Sequence, residues 1–231
     1  MSLPSTPAEG PRAPAPPEPS PPPRSTVRAT WRWVWKDTAF RLVPFAAATA
    51  VYARFWGGGA AGVGIIGFSV PRDLLLGLAI GVPLAGAALV FRRAVAPRFL
   101  LPTAADQAFQ TTFYLALNAP MEELFWRGTV QTLAVRAAEL ALGTGGLAAG
   151  AGWAATTAVF GAYHRLGSWS WRSIAGVTAA GGVFGLAYVL QPTPRSIWLP
   201  TIIHGLATAG FLSWGDAALA WWARRGGERS Q

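Results

Sequence analysis

The sequence predicts an all-α fold: a polytopic transmembrane helix bundle of about six spans (six to eight), with one long, kinked helix at its centre. Three observations carry this. Hydrophobic residues make up 52% of the 231 and charged residues only 13%, against about 25% charged in a typical soluble domain. Several apolar runs approach the roughly 20 residues that cross a bilayer. Finally, Glu122, Glu123 and Arg127 sit inside a long apolar helical tract, and ionisable residues in such places face a protein interior and mark function.

Residues 1–27 are expected to be a disordered, proline-rich cytoplasmic tail. Proline recurs from Pro4 to Pro23 too densely for a helix. No apolar segment follows Met1 as it would in a cleaved signal peptide. Residues 28–225 then form the transmembrane domain and 226–231 a short C-terminal tail. Residues 26–41 interleave Trp31, Trp33 and Trp35 with Arg28, Arg32 and Lys36, a composition suited to the membrane–water interface. The first apolar run, 42–56, ends in Gly57-Gly58-Gly59, and the glycine-rich 60–70 either extends that span or makes a re-entrant turn.

The second span, 73–91, is closed by Arg92, Arg93 and Arg98. The third, 107–141, reads as a single helix of roughly 52 Å, longer than about 30 Å of hydrocarbon. Pro120 predicts a kink in it, because proline removes a backbone donor and crowds the carbonyl four residues earlier. Spans 147–164, 173–190 and 197–214 follow. Glycine and alanine dominate them, as close helix packing requires, and Trp169, Trp171, Trp198, Trp214, Trp221 and Trp222 lie near their ends.

The net charge of +9 does not indicate nucleic acid. Its arginines gather in the N-terminal region and between apolar runs, where the positive-inside rule places cytoplasmic loops, and attraction to anionic headgroups is secondary. Six crossings put both termini in the cytoplasm. This topology leaves His164 near the cytoplasmic end of its helix, with Glu122 deeper. Lys36 is the single lysine beside many arginines, which points to a GC-rich bacterial source and so to the inner (plasma) membrane. With no cysteine, there is no disulfide framework, cysteine-ligated zinc or cysteine nucleophile.

The chemistry-bearing residues divide by spacing. Glu123 and Arg127 are i, i+4 neighbours and can pair. Glu122 lies about 100° round the helix, on the face of Asn118, with no intrahelical cation, and is a candidate general base. A purely structural charge cluster would need only one carboxylate for one arginine. His164 and His204 are the only histidines and fall in separate apolar segments. A lone helical histidine is more often a packing residue. Two of them beside a buried glutamate can activate water, or bind zinc if Glu122, His164 and His204 converge. No His-Glu-x-x-His motif is present.

Glu122-Glu123-x-x-x-Arg127 resembles the EExxxR motif of the CPBP intramembrane proteases (CAAX proteases and bacteriocin-processing enzymes, also called the Abi family). Phe160-x-x-x-His164 resembles that family's FxxxH, and the stretch from Phe184 through Ser196 to His204 resembles its last conserved region. The three motifs run in family order over about residues 107–214. The resemblance implies an intramembrane endopeptidase whose Glu122 and His164 activate water while His204 stabilises the oxyanion. It also implies a glutamate-type scheme with no cofactor, zinc being the variant, and a membrane-anchored protein or peptide as substrate. Prenylated CAAX tails, bacteriocin leaders and C-terminal sorting tails all suit the family, though a bacterial source makes the prenylated ones less apt.

The chain departs from the family at Thr208, where asparagine or aspartate usually stands four residues after the histidine. Asn118 is a candidate for the missing donor. Two other readings compete with the protease: a catalytically weak or inactive scaffold or immunity protein of the same fold, which Thr208 favours, and a small transporter, which the absence of an inverted repeat disfavours.

Overall fold

The computed structural model describes residues 24–95, 101–167 and 169–228. Most of the expected tail, Arg98 and the last three residues, Arg229 among them, lie outside the described residues. Within them the chain forms seven helices. Helix α1 covers 27–55, α2 70–95, α3 104–142, α4 146–167 (its last turn, His164–Gly167, of 3₁₀ type), α5 Trp171–Val189, α6 Trp198–Phe211 and α7 Ser213–Glu228. The all-α expectation holds.

Residues 24–26 are tied to the start of α3. Arg24–Ser25 pairs in parallel with Leu101–Pro102, and the Ser25 hydroxyl donates to Asp106. Thr26 caps α1 through the Ala29 amide, and Thr103 caps α3 through the Asp106 amide at 3.2 Å; each hydroxyl accepts an otherwise orphaned N–H. Val34 and Leu42 of α1 then bury against Phe113 and Tyr114 of α3. This seam sets residues 37–41 beside residues 114–122.

Residues 57–69 do not lengthen the first helix. Helix α1 ends at Phe55, and the loop makes one helical turn, Gly59–Gly62. It then folds back on the bundle. Ile197 N–H donates to the Gly64 carbonyl at 3.0 Å and the Trp198 indole to the Ile65 carbonyl at 2.8 Å, so the loop docks on the start of α6. Gly64 has φ +77°, a backbone form that a β-carbon disfavours.

Helix α6 is gripped by α2. Gly210 lies so close to α2 that a β-carbon there would come within 2.6 Å of the Ala85 carbonyl oxygen. Such small-residue seams allow the backbone approach on which helix association in a bilayer depends. Phe184 of α5 packs with Leu199, Ile203 and Ala207 of α6. Arg92 closes the far end of α2 on Asp216 of α7 at 2.7 Å.

Helices stand at all six expected segments, but only two of them, α2 and α5, are both long and apolar enough to cross a bilayer unaided. By length and hydropathy, then, two of the expected six spans are supported. Helix α6 has 14 residues, about 21 Å at 1.5 Å each, and α3 carries its charges internally. Helix α2 has a mean hydropathy of 2.4 over its most apolar window, and only 11% of that window is buried. A core helix of a soluble protein would be largely covered, so α2 has the length, composition and exposure of a membrane-spanning helix.

The irregularity expected at Pro120 takes the form of two π-helical stretches. Tyr114–Asn118 and Leu124–Gln131 flank the short α-helical Ala119–Glu123. The Ala119 amide reaches back five residues to the Tyr114 carbonyl, and the wider turn makes room for a residue without an N–H. Such π-turns recur at functional sites, and here they bracket both glutamates.

Candidate active site

Glu122 and Glu123 leave the same short helical turn in different directions. Glu123 is fully buried and pairs with Arg127 Nε at 3.1 Å, both residues being 0% exposed. Arg127 also donates to the Gly181 carbonyl at 3.0 Å and lies over the rings of Phe160 and Phe184 at 5.1 and 5.9 Å. The i, i+4 pair read from spacing is therefore present, and it links α3 to α4 and α5.

Glu123 does more than neutralise Arg127. Its Oε1 accepts a hydrogen bond from His204 Nδ1 at 2.7 Å. That bond fixes the ring from behind and leaves Nε2 facing Glu122 Oε2 at 4.0 Å. Phe184 stacks on the imidazole, with centroids 4.5 Å apart and planes 14° from parallel. A carboxylate behind a histidine sets which nitrogen points at the reacting centre. Spacing alone gave no sign of this second job.

Glu122 is not the unpaired carboxylate that its helix alone implies. Arg41, 81 residues earlier, donates through Nη1 to Glu122 Oε1. Asn118 donates one N–H of its amide to the same oxygen at 3.2 Å. Arg41 is itself held by Asp37, through Nε at 2.7 Å and Nη2 at 2.6 Å. The interfacial composition of residues 26–41 hid this role. The one local clue was the i, i+4 spacing of Asp37 and Arg41.

His164 donates from Nδ1 to the Phe160 carbonyl at 2.8 Å, which leaves Nε2 free of that bond. The phenylalanine four residues before it thus contributes its carbonyl, and its ring stands edge-on at 4.7 Å. His164 begins the 3₁₀ turn that ends α4. The difference in depth between His164 and Glu122 expected from topology does not separate them. Glu122, His164, His204, Asn118, Thr208 and Arg41 all line one cavity of about 400 Å³. All three proposed catalytic residues are thereby brought together with all four supporting ones: Asn118 and Thr208 at the wall, Glu123 behind His204, and Arg127 behind Glu123.

A second, apolar cavity of about 490 Å³ lies between α2, α5 and α6, lined by Leu84, Phe91, Val183 and Phe211 among others. His204, Thr208, Trp169 and Leu212 line both cavities, so the polar site abuts an apolar groove. Among the described residues no three His, Cys, Asp or Glu side chains form a group with metal-holding geometry. Arg41 also sets a guanidinium directly on Glu122, where a bound divalent cation would meet a like charge.

Residues 104–210 match the family described as type II CAAX prenyl endopeptidase, Rce1-like. No curated protein and no solved structure matches the chain. The matched segment contains Glu122, Glu123, Arg127, His164, His204 and Thr208, and it excludes Asp37, Arg41 and α2. Over residues 104–210 the chain thus carries an Rce1-like type II CAAX prenyl endopeptidase domain, consistent with the CPBP family of membrane-embedded proteases.

Proposed function

We propose that this protein is an intramembrane endopeptidase of the glutamate type, hydrolysing a peptide bond in or near the membrane. The observation that carries the reading is the common orientation of the two histidines. Each spends Nδ1 on a fixed acceptor, Glu123 for His204 and the Phe160 carbonyl for His164. Each therefore has Nε2 for the cavity that Glu122 lines.

In this scheme Glu122, with His164, takes a proton from a water whose oxygen attacks the scissile carbonyl carbon. The C–N bond then breaks, and the proton passes to the leaving amine. His204 in its charged form donates from both nitrogens, Nδ1 to Glu123 and Nε2 to the developing oxyanion. Thr208, on the same cavity wall one turn later, supplies a hydroxyl where the family usually has an amide or carboxylate. No metal is required; zinc held by Glu122, His164 and His204 is the variant scheme, which the Arg41–Glu122 pair disfavours.

The substrate is a membrane-anchored protein or peptide, with the bilayer as second partner and no role for nucleic acid. The helix order suits six crossings, both termini in the cytoplasm and a bacterial inner membrane, the shorter helices crossing as part of the packed bundle. The deciding experiment compares protein termini in membranes carrying the wild type or Glu122→Gln. Termini that appear only with the wild type support the reading. Identical termini, together with no cleavage of a farnesylated CAAX peptide by the purified wild type, favour the weak or inactive scaffold that Thr208 makes the second reading.

A further inference from the structure

We propose that Arg41, outside the Rce1-like domain, is a positioning residue of the reaction centre: it holds one oxygen of Glu122 so that the other is presented to His204. The inference rests on the reading of Glu122 as the water-activating base.

Three features of Arg41 argue for it. First, its guanidinium is fixed before it reaches Glu122. Nε and Nη2 both bond Asp37, at 2.7 and 2.6 Å, which sets the plane of the fork and leaves Nη1 for Glu122 Oε1. A planar fork does this and a lysine ammonium does not. Second, the two oxygens of Glu122 are made unequal. Oε1 accepts from Arg41 and from Asn118, whereas Oε2 faces His204 Nε2 at 4.0 Å. A carboxylate free to rotate would present either oxygen, and holding it near the productive geometry lowers the barrier. Third, Arg41 stands at the cavity wall with Asp37, Glu122 and both histidines, not in the packed core where Glu123 and Arg127 already form the buried pair. Its backbone is held by Leu42, which is fully buried against α3.

The test uses the full chain purified in detergent, with a quenched fluorescent farnesylated CAAX peptide as probe. Arg41→Ala is expected to lower kcat by about 10²-fold with KM within about threefold. Arg41→Lys, which keeps the charge and loses the fork, should recover less than about a tenth of the lost rate. Added methylguanidine should restore part of the activity of Arg41→Ala and none of that of Glu122→Gln, a readout that a merely structural role would not move. Asp37→Asn should lower kcat in the same sense by a smaller factor.

A thermal unfolding cycle of Arg41→Ala with Glu122→Gln gives an activity-independent arm, expected to be non-additive. Additive Tm shifts, or wild-type kcat in Arg41→Ala, overturn the proposal while Glu122→Gln stays inactive. Wild-type cleavage by Glu122→Gln instead removes the underlying reading, and the catalytic role of Arg41 with it, even if the cycle shows the pair to be coupled.

Discussion

His204 Nδ1 lies 2.7 Å from Glu123 Oε1, while the opposite edge of the same ring faces Glu122 Oε2 at 4.0 Å. The two adjacent glutamates thus act on one imidazole from two sides. One fixes it, and the other shares its cavity. The arrangement requires consecutive residues on α3 to diverge, which about 100° per residue provides.

The division of labour sets the first expectation. Glu122→Gln and His164→Ala are each expected to lower kcat by about 10²–10⁴-fold, the usual range for loss of a general acid or base. Both should leave the folded yield in detergent close to wild type. Steady-state cleavage and gel filtration on the same preparations check this.

Arg127→Ala is expected to fail differently. It strands the fully buried Glu123 without its cation and should cost about 3–5 kcal/mol of stability. His204 orientation falls with it, since Glu123 holds the ring. Thermal unfolding should show a large drop in Tm, whereas Glu122→Gln should not. Equal Tm losses in the two variants would contradict the assignment of structural and reactive carboxylates.

Thr208→Asn restores the family's usual side-chain class on a wall that His204 shares. It is expected to raise kcat by about tenfold, a fraction of the 10²–10³ that one good oxyanion donor supplies. Thr208→Val, which removes the hydroxyl at nearly constant volume, should lower it. A null result in both would remove Thr208 from the reaction.

Incubation with a chelator such as 1,10-phenanthroline is expected to leave cleavage unchanged. Inhibition reversed by added zinc would instead assign Glu122, His164 and His204 as ligands. Parallel measurement of bound zinc by emission spectroscopy separates true ligation from nonspecific effects on the detergent micelle.

Local periodicity made much of this molecule readable. The apolar runs located six of the seven helices, missing the weakly apolar α7, and the i, i+4 spacing of Glu123 and Arg127 gave a pair that the structure contains. Hydropathy reports composition and not how far a helix travels, and only α2 and α5 pass as spans on both counts among the described residues. Helix α6 is apolar yet has only 14 residues.

The contacts that complete the site are long-range. Arg41 meets Glu122 across 81 residues, and His204 meets Glu123 across another 81. No helical period encodes such partners. The tryptophans around Arg41 also gave residues 26–41 an interfacial character that masked its inward reach. Pro120 marked the place, but not the form: the π-helical Tyr114–Asn118 and Leu124–Gln131 on either side have no signature in the sequence.

The seam between α1 and α3 has a consequence for what counts as a unit. A segment recognised by inheritance, 104–210, holds the glutamates and histidines but neither the guanidinium on Glu122 nor the helix that clasps α6. Excised, it would keep its signature and lose its cavity wall. Heredity and mechanics draw their borders differently here, and a chimera that grafts 104–210 onto foreign helices should inherit the motif without the pocket.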